Sequence, residues 1–290
     1  KAVDPRFSAN YILKPGQTLS LGVGVHSQMQ PFVVYYDRTL LNFQNNTYLE
    51  TNKNLDFSRN THFILGYQRI INNLLRLKTE IYYQHLDQLP VTQNPSYYST
   101  VNFGADFGFP NVDSLVNKGI GRNYGVEVTL EKFFDKGYYY LLTASVFDSK
   151  YKASDNQWRN TAFNNNYVLN FLAGKEVKLK KGVLSFNLRV VYAGGRRYVP
   201  IDKERSFAEQ RIIFNEADAY EFKYRDYFRP DFKIGFKIYG KKVTQEFALD
   251  LQNVFNIKNV NTEIYNVKTN SARTIYQLGL FPVPFYRIQF

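Results

Sequence analysis

Apolar and polar residues alternate with period two along most of this chain. In residues 18–27, Leu19, Leu21, Val23 and Val25 fall on one parity and Ser20, Gly22, Gly24 and His26 on the other. Leu75, Leu77 and Ile81 likewise oppose Arg76, Lys78 and Glu80, and Tyr124, Val126, Val128 and Leu130 oppose Glu127, Thr129 and Glu131. Further on, Leu184, Phe186, Leu188 and Val190 oppose Ser185, Asn187 and Arg189. Phe232, Ile234, Phe236 and Ile238 oppose Lys233 and Lys237, and Phe247, Leu249 and Leu251 oppose Glu246, Ala248 and Asp250. Successive side chains of a strand point to opposite faces, so each stretch predicts a strand with one apolar and one polar face. The strands predicted are 6–13, 18–27, 57–70, 74–86, 121–133, 138–149, 163–178, 183–193, 224–239 and 243–255. A loop near 256–272 then leads to a closing strand that ends Tyr286, Ile288, Phe290. Pro282 and Pro284 in that strand call for a ladder that is open on one side.

The connections alternate in length. Tight turns are predicted at 14–17 (K-P-G-Q), 71–73 (I-N-N), 134–137 (F-D-K-G), 180–182 (K-K-G) and 240–242 (G-K-K). Long segments fall at about 28–56, 87–120, 150–162, 194–223 and 256–272. Short turns at one end and long loops at the other mark a membrane barrel of the outer-membrane type. The fold class expected is therefore all-β, a transmembrane antiparallel β-barrel of about eleven strands. Ten charged residues take the polar parity: Arg76, Lys78, Glu80, Glu127, Glu131, Arg189, Lys233, Lys237, Glu246 and Asp250. A narrow interior filled by side chains cannot hydrate or pair so many charges, so they are expected to face a wide lumen or a polar plug.

Composition supports strands over helices. Tyr 24 and Phe 25 against Met 1 is a strand-rich, girdle-rich aromatic content. No run approaches the ~18–20 apolar residues of a spanning helix. Cys 0 removes disulfides and thiolate metal sites. The net charge of +12 is carried by scattered residues and turn lysines, with no nucleic-acid reading motif, so no nucleic-acid partner is expected. No G-x-S-x-G elbow, H-E-x-x-H helix or P-loop occurs, so neither catalysis nor a cofactor is expected. The chain enters a strand within a few residues of Lys1, and about eleven strands is an odd number. Both read as the second half of a larger barrel belonging to a longer protein.

Four stretches carry a family resemblance: 5–22 (P-R-F-S-A-N-Y-I-L-K-P-G-Q-T-L-S-L-G), 102–127 (N-F-G-A-D-F-G-F-P-N-V-D-S-L-V-N-K-G-I-G-R-N-Y-G-V-E), 249–256 (L-D-L-Q-N-V-F-N) and the terminal F-Y-R-I-Q-F. The chain resembles the C-terminal barrel half of TonB-dependent outer-membrane transporters, in the Bacteroidetes type with a carboxypeptidase-regulatory-like N-terminal domain. The resemblance implies a 22-stranded barrel around a plug, with residues 1–290 as its C-terminal part and the plug and first half of the barrel outside this chain. It implies active nutrient uptake at the bacterial cell outer membrane, with the extracellular loops contacting substrate. Implied partners are outer-membrane lipid and lipopolysaccharide, the N-terminal plug and barrel half, a TonB complex reached through that part, and a surface lipoprotein. A passive porin, or a scaffold or adhesin that binds a protein through its loops, stays open as an alternative.

Within the loops, Tyr35, Tyr36, Tyr97, Tyr98 and Trp158 offer rings for stacking on a sugar or peptide. Arg196 and Arg197, after Ala-Gly-Gly, offer a fork for a carboxylate or phosphate. The alternative is that these residues pack the loops on one another or sit in the aromatic girdle. No metal site is expected. The nearest candidates are His26 and His62, both on the polar parity near the loop end, while His85 shares the face of Ile81 and Tyr83. A shared ion requires the two imidazoles to lie within about 7 Å of each other.

Overall fold

A computed structural model describes residues 1–42, 45, 47–105 and 114–290. Its elements run in the order β1 (Arg6–Lys14), β2 (Gln17–Gln28), α1 (Phe32–Tyr35), β3 (Thr39–Asn42), β4 (Thr47–Leu49), β5 (Ser58–Ile71), β6 (Leu75–Thr92) and β7 (Leu115–Asp135). There follow β8 (Tyr138–Lys152), β9 (Trp158–Asn160), β10 (Tyr167–Leu179), β11 (Gly182–Ala193), α2 (Lys203–Glu209), β12 (Tyr227–Tyr239), β13 (Thr244–Gln252), β14 (Val260–Asn266), β15 (Ser271–Tyr276) and β16 (Phe281–Gln289). Among the described residues, the long strands form one antiparallel sheet in the order β1-β2-β5-β6-β7-β8-β10-β11-β12-β13-β16, with β9 added to β8. This eleven-strand path matches the number expected from the alternation. The sheet is open: β1 pairs only β2 and β16 only β13, so Pro282 and Pro284 lie in an edge strand.

Local chemistry sets the turns. Gly16 closes the β1–β2 turn at φ +77, where a Cβ would meet the carbonyl of Ile70. Asn72 and Asn73 take positive φ between β5 and β6, and Lys136 and Gly137 do so between β7 and β8. All the short turns fall at one end of the sheet and the long connections at the other.

Several boundaries differ from expectation. The β6–β7 hairpin runs on to Thr92 and Leu115, well into the segment expected to be loop. Gln88 at φ 56 shifts the register there, which breaks the alternation that a sequence reading follows. The short β9, and β14 with β15, form within segments expected to be loop, and residues 271–276 belong to that second hairpin rather than to the closing strand. Residues 106–113 of the 102–127 stretch, and 43, 44 and 46 of the 28–56 segment, lie outside the described residues.

Neither sheet face packs a core. Register places Leu65, Ile81, Val126 and Val146 side by side on one face, and these side chains are exposed, Ile81 by 54% and Val146 by 66%. Phe247 and Tyr286, whose rings lie 4.9 Å apart, continue that face and are exposed as well. The cluster of fully buried apolar side chains is elsewhere, at the loop end, where Val91, Tyr151 and Ala153 pack against Val101, Val116 and Tyr220. A sheet that leaves so long an apolar band uncovered needs an apolar environment against it.

Candidate functional site

Directly opposed residues of paired strands share a face, and the register puts all ten charged residues singled out in the sequence on one side, opposite the apolar band. Several are paired: Arg76 with Glu131 at 2.5 Å, Lys78 with Glu80 at 2.6 Å, and Lys237 with Glu246 at 4.0 Å. Glu80 lies opposite Glu127, whose carboxylate accepts from Ser145 Oγ, while the Lys233 ammonium lies 5.1 Å from the Phe285 ring centre. Lys233 stands opposite Asp250 and Arg189 opposite Asp231. Five of the ten are cationic and five anionic, so this face is near neutral. His26 and His62 belong to it too, with ring centres 5.2 Å apart, inside the limit for a shared ion. No group of three or more His, Cys, Asp or Glu among the described residues is placed to hold a metal.

At the loop end lies a cavity of about 530 Å³, floored by the 194–226 connection and walled by β14 and the segment near Tyr97. That connection makes a small ladder of its own. Tyr198 N–H donates to Phe222 O, Tyr224 N–H to Arg196 O and Tyr220 N–H to Tyr198 O. This pairing brings Tyr198 and Tyr224 to the same side, stacked at 4.4 Å and 17°. Burial raises the Tyr198 hydroxyl above its ordinary pKa. Lys203, at the start of α2, pairs with Glu263 of β14 at 2.9 Å across the cavity wall.

Of the loop residues singled out in the sequence, the fold brings Tyr97, Arg196 and Arg197 to this cavity. Arg196 donates to Ala105 O and Asn261 O, tying three connections together. Arg197 donates to Asn164 O, Tyr220 O, Glu221 O and Asn166 Oδ1. Tyr97 packs its ring 6.3 Å from Tyr220 and accepts at its carbonyl from Tyr151 Oη. The others lie apart. Tyr98 is turned inward, and burial pushes its hydroxyl up to about 12. Tyr35 Oη accepts from Gln30 N–H, and Tyr36 is exposed beside it. Trp158 on β9 carries the Arg122 guanidinium 4.5 Å from its ring centre. Tyr198, Tyr220, Tyr224, Lys203 and Glu263 were not singled out in the sequence. The alternate aromatics Tyr220, Phe222 and Tyr224 are the signal that would have found two of them.

Asp226 fastens the rim beneath this cavity. Its carboxylate accepts from Tyr167 Oη at 2.5 Å, Tyr192 Oη at 3.0 Å and Gly195 N–H at 3.1 Å. The Tyr167 hydroxyl chiefly, with Tyr192 and Gly195, holds its pKa below the ordinary 3.8. A depressed carboxyl contributes stability above its unfolded pKa and loses it as pH falls through the folded value. Pepsin cleavage within 194–226 should therefore rise as pH drops below about 3.8, and Asp226→Asn should already show the raised rate at pH 4–5. Equal cleavage of both proteins across that range would remove this role.

No family model matches the sequence. No curated protein matches it either. Solved structures do match its fold. The ferric yersiniabactin uptake receptor FyuA of Yersinia pestis aligns with TM-score 0.63 at 14% identity, over 98% of this chain and 36% of the receptor. The outer membrane transporter YddB of Escherichia coli aligns with TM-score 0.63 at 11% identity, over 98% and 40%. The pyoverdine receptor FpvA of Pseudomonas aeruginosa, solved bound to pyoverdine, aligns with TM-score 0.62 at 13% identity, over 98% and 35%. The chain thus spans little more than a third of these receptors' length. Over that third it has the fold of a TonB-dependent outer-membrane receptor barrel.

Proposed function

We propose that this chain builds part of the barrel wall of a TonB-dependent receptor in the bacterial outer membrane, and that the whole receptor takes up a scarce nutrient actively. The observation that carries the reading is the two-faced sheet, with an apolar face open along its length, a charged face behind it, and the long connections at one end, three of them around a cavity. In the bilayer the apolar face meets lipid, with lipopolysaccharide at the outer leaflet. The ten charged residues face the lumen and hold a plug, which with the first half of the barrel and the link to TonB comes from sequence outside this chain. The stretches 5–22 and 102–127 favour the Bacteroidetes type with its carboxypeptidase-regulatory-like domain.

The loop cavity receives solute. Its volume is in the range of small-molecule sites, and the Tyr198–Tyr224 stack with Tyr97 offers ring faces and hydroxyls. Arg196 and Arg197 spend donors on carbonyls, so their part is to fix the cavity walls. Solute co-purified with the full-length receptor can be identified by mass spectrometry and its accumulation measured in cells. Accumulation should require an energised TonB complex. It should fall about thirtyfold when Tyr198 and Tyr224 are both replaced by alanine, from the loss of two ring contacts of roughly 1 kcal/mol each. Accumulation that persists without TonB would make the protein a passive porin, and binding with no accumulation an adhesin.

A further inference from the structure

On the apolar face near the short-turn end, the band is interrupted by a dent. Register aligns Tyr140 of β8, Ala173 of β10, Leu188 of β11 and Phe232 of β12 across the sheet. Ala173 is the small member of that row, and the space above it opens into a groove of about 420 Å³ between Tyr138 and Tyr140 on one side and Phe186, Leu188 and Phe232 on the other. Phe186 and Phe232 stack at 6.5 Å along the far wall. The groove is long, apolar and open outward, the shape of a site for an alkyl chain.

Two cations stand at its short-turn mouth, on the face that is otherwise apolar. Lys132 lies opposite Tyr140 and Lys175 opposite Tyr138 and Phe186, which puts both on the apolar parity. Both ammonium groups converge on one ring, with Lys132 Nζ 3.9 Å and Lys175 Nζ 5.4 Å from the Tyr138 centre. Each also donates to backbone carbonyls, Lys132 to Phe133 O and Lys175 to Lys136 O. Neither forms an ion pair with a carboxylate among the described residues; Asp135, opposite Tyr138, is the acidic residue of the same turn. Lys136, Lys180 and Lys181 in the adjoining turns add to the positive field. A charge on a lipid-facing strand is tolerable at the headgroup level, where the ammonium reaches phosphate while its stem lies along the hydrocarbon.

We propose that this groove binds one ordered phospholipid with an anionic headgroup from the periplasmic leaflet. Lys132 and Lys175 hold its phosphate, and an acyl chain lies over Ala173. The site rests on the barrel reading above, which sets the short turns at the periplasmic side. A lipid with net negative charge is selected because the two ammonium groups lack carboxylate partners, whereas a zwitterionic headgroup brings its own cation into the same field.

The full-length receptor, purified from outer membranes and delipidated, is titrated in native mass spectrometry with palmitoyl-oleoyl-phosphatidylglycerol and, separately, the matching phosphatidylethanolamine. Phosphatidylglycerol should be retained in preference. The double variant Lys132→Gln/Lys175→Gln should lower that retention about tenfold. Ala173→Phe, which fills the dent and leaves both lysines, should lower it comparably, with Ala173→Leu as the milder filling. Retention unchanged in these variants overturns the site. Loss with the lysines but not on filling the dent also overturns it, since diffuse attraction to the basic rim explains that pattern. Fractionation and heat-modifiable migration of the wild-type receptor separate the two readings. A receptor absent from the outer membrane overturns the barrel reading and this site with it, whereas an inserted barrel with unaltered retention overturns this site alone.

Discussion

Ile81→Lys is expected to destabilise the membrane-inserted protein by about 2–4 kcal/mol, the cost of a cation on a lipid-facing strand near the bilayer centre. Ile81 sits mid-strand in β6, opposite Leu65 and Val126, and is 54% exposed. In a water-soluble protein an exposed isoleucine is replaced by lysine at little cost, usually within about 0.5 kcal/mol. The two environments therefore give opposite outcomes for one substitution. Gln84→Lys, three residues on and on the charged face, is the control and should be tolerated. The measurement is the urea midpoint of the refolded full-length barrel in lipid vesicles, alongside its yield in the outer membrane. Equal midpoints for Ile81→Lys and the native protein would mean that this face does not meet lipid.

Arg197→Ala carries the second large effect. The side chain is half-buried and donates to three main-chain carbonyls and the Asn166 side chain, linking the 194–226 connection to the segment before β10. Burial lowers its pKa from the ordinary guanidinium value, with Glu221 and Asp148 opposing, and a guanidinium stays charged throughout the working range. Removing it strands the carbonyl of the buried Asn164 and releases its other partners, a loss of about 1–3 kcal/mol in local stability. Hydrogen exchange across 194–226 should rise, and solute affinity should fall with it. Arg197→Lys should rescue little, because one ammonium cannot span the positions the planar fork reaches. Native-like exchange in Arg197→Ala would leave the loop held by other means.

How much of this was readable in advance follows from distance along the chain. Strand identity and facing are local: Leu184, Phe186 and Leu188 alternate with Ser185 and Asn187, and the sheet places them as that alternation demands. The tight turns are local as well, since Gly16 and Asn72 write their own backbone conformation. The end of β6 was not readable, because Gln88 in a left-handed conformation and Pro90 break the pattern while the hairpin continues past them. The cavity was hidden for a different reason. Lys203 meets Glu263 and Arg196 reaches Ala105 and Asn261 across separations of 60 to 91 residues, which periodicity does not encode. Side chains such as Tyr98 and Trp158 advertised themselves by type, yet type says nothing of the neighbour that will occupy them.

The unequal strand lengths have a consequence for how such a receptor meets its surroundings. β7 runs 21 residues and β6 18, against 9 for β1 and β16. About 9–11 residues suffice to cross the hydrocarbon layer, so β6 and β7 run on beyond it, flanked by β8 up to Lys152 and then paired alone from Leu89 to Thr92 and Leu115 to Gly119, about 13 Å at about 3.3 Å per residue. Val91 and Val116 of that extension pack with Val101, Tyr151, Ala153 and Tyr220, so the outer connections rise from a packed platform rather than from the membrane surface itself.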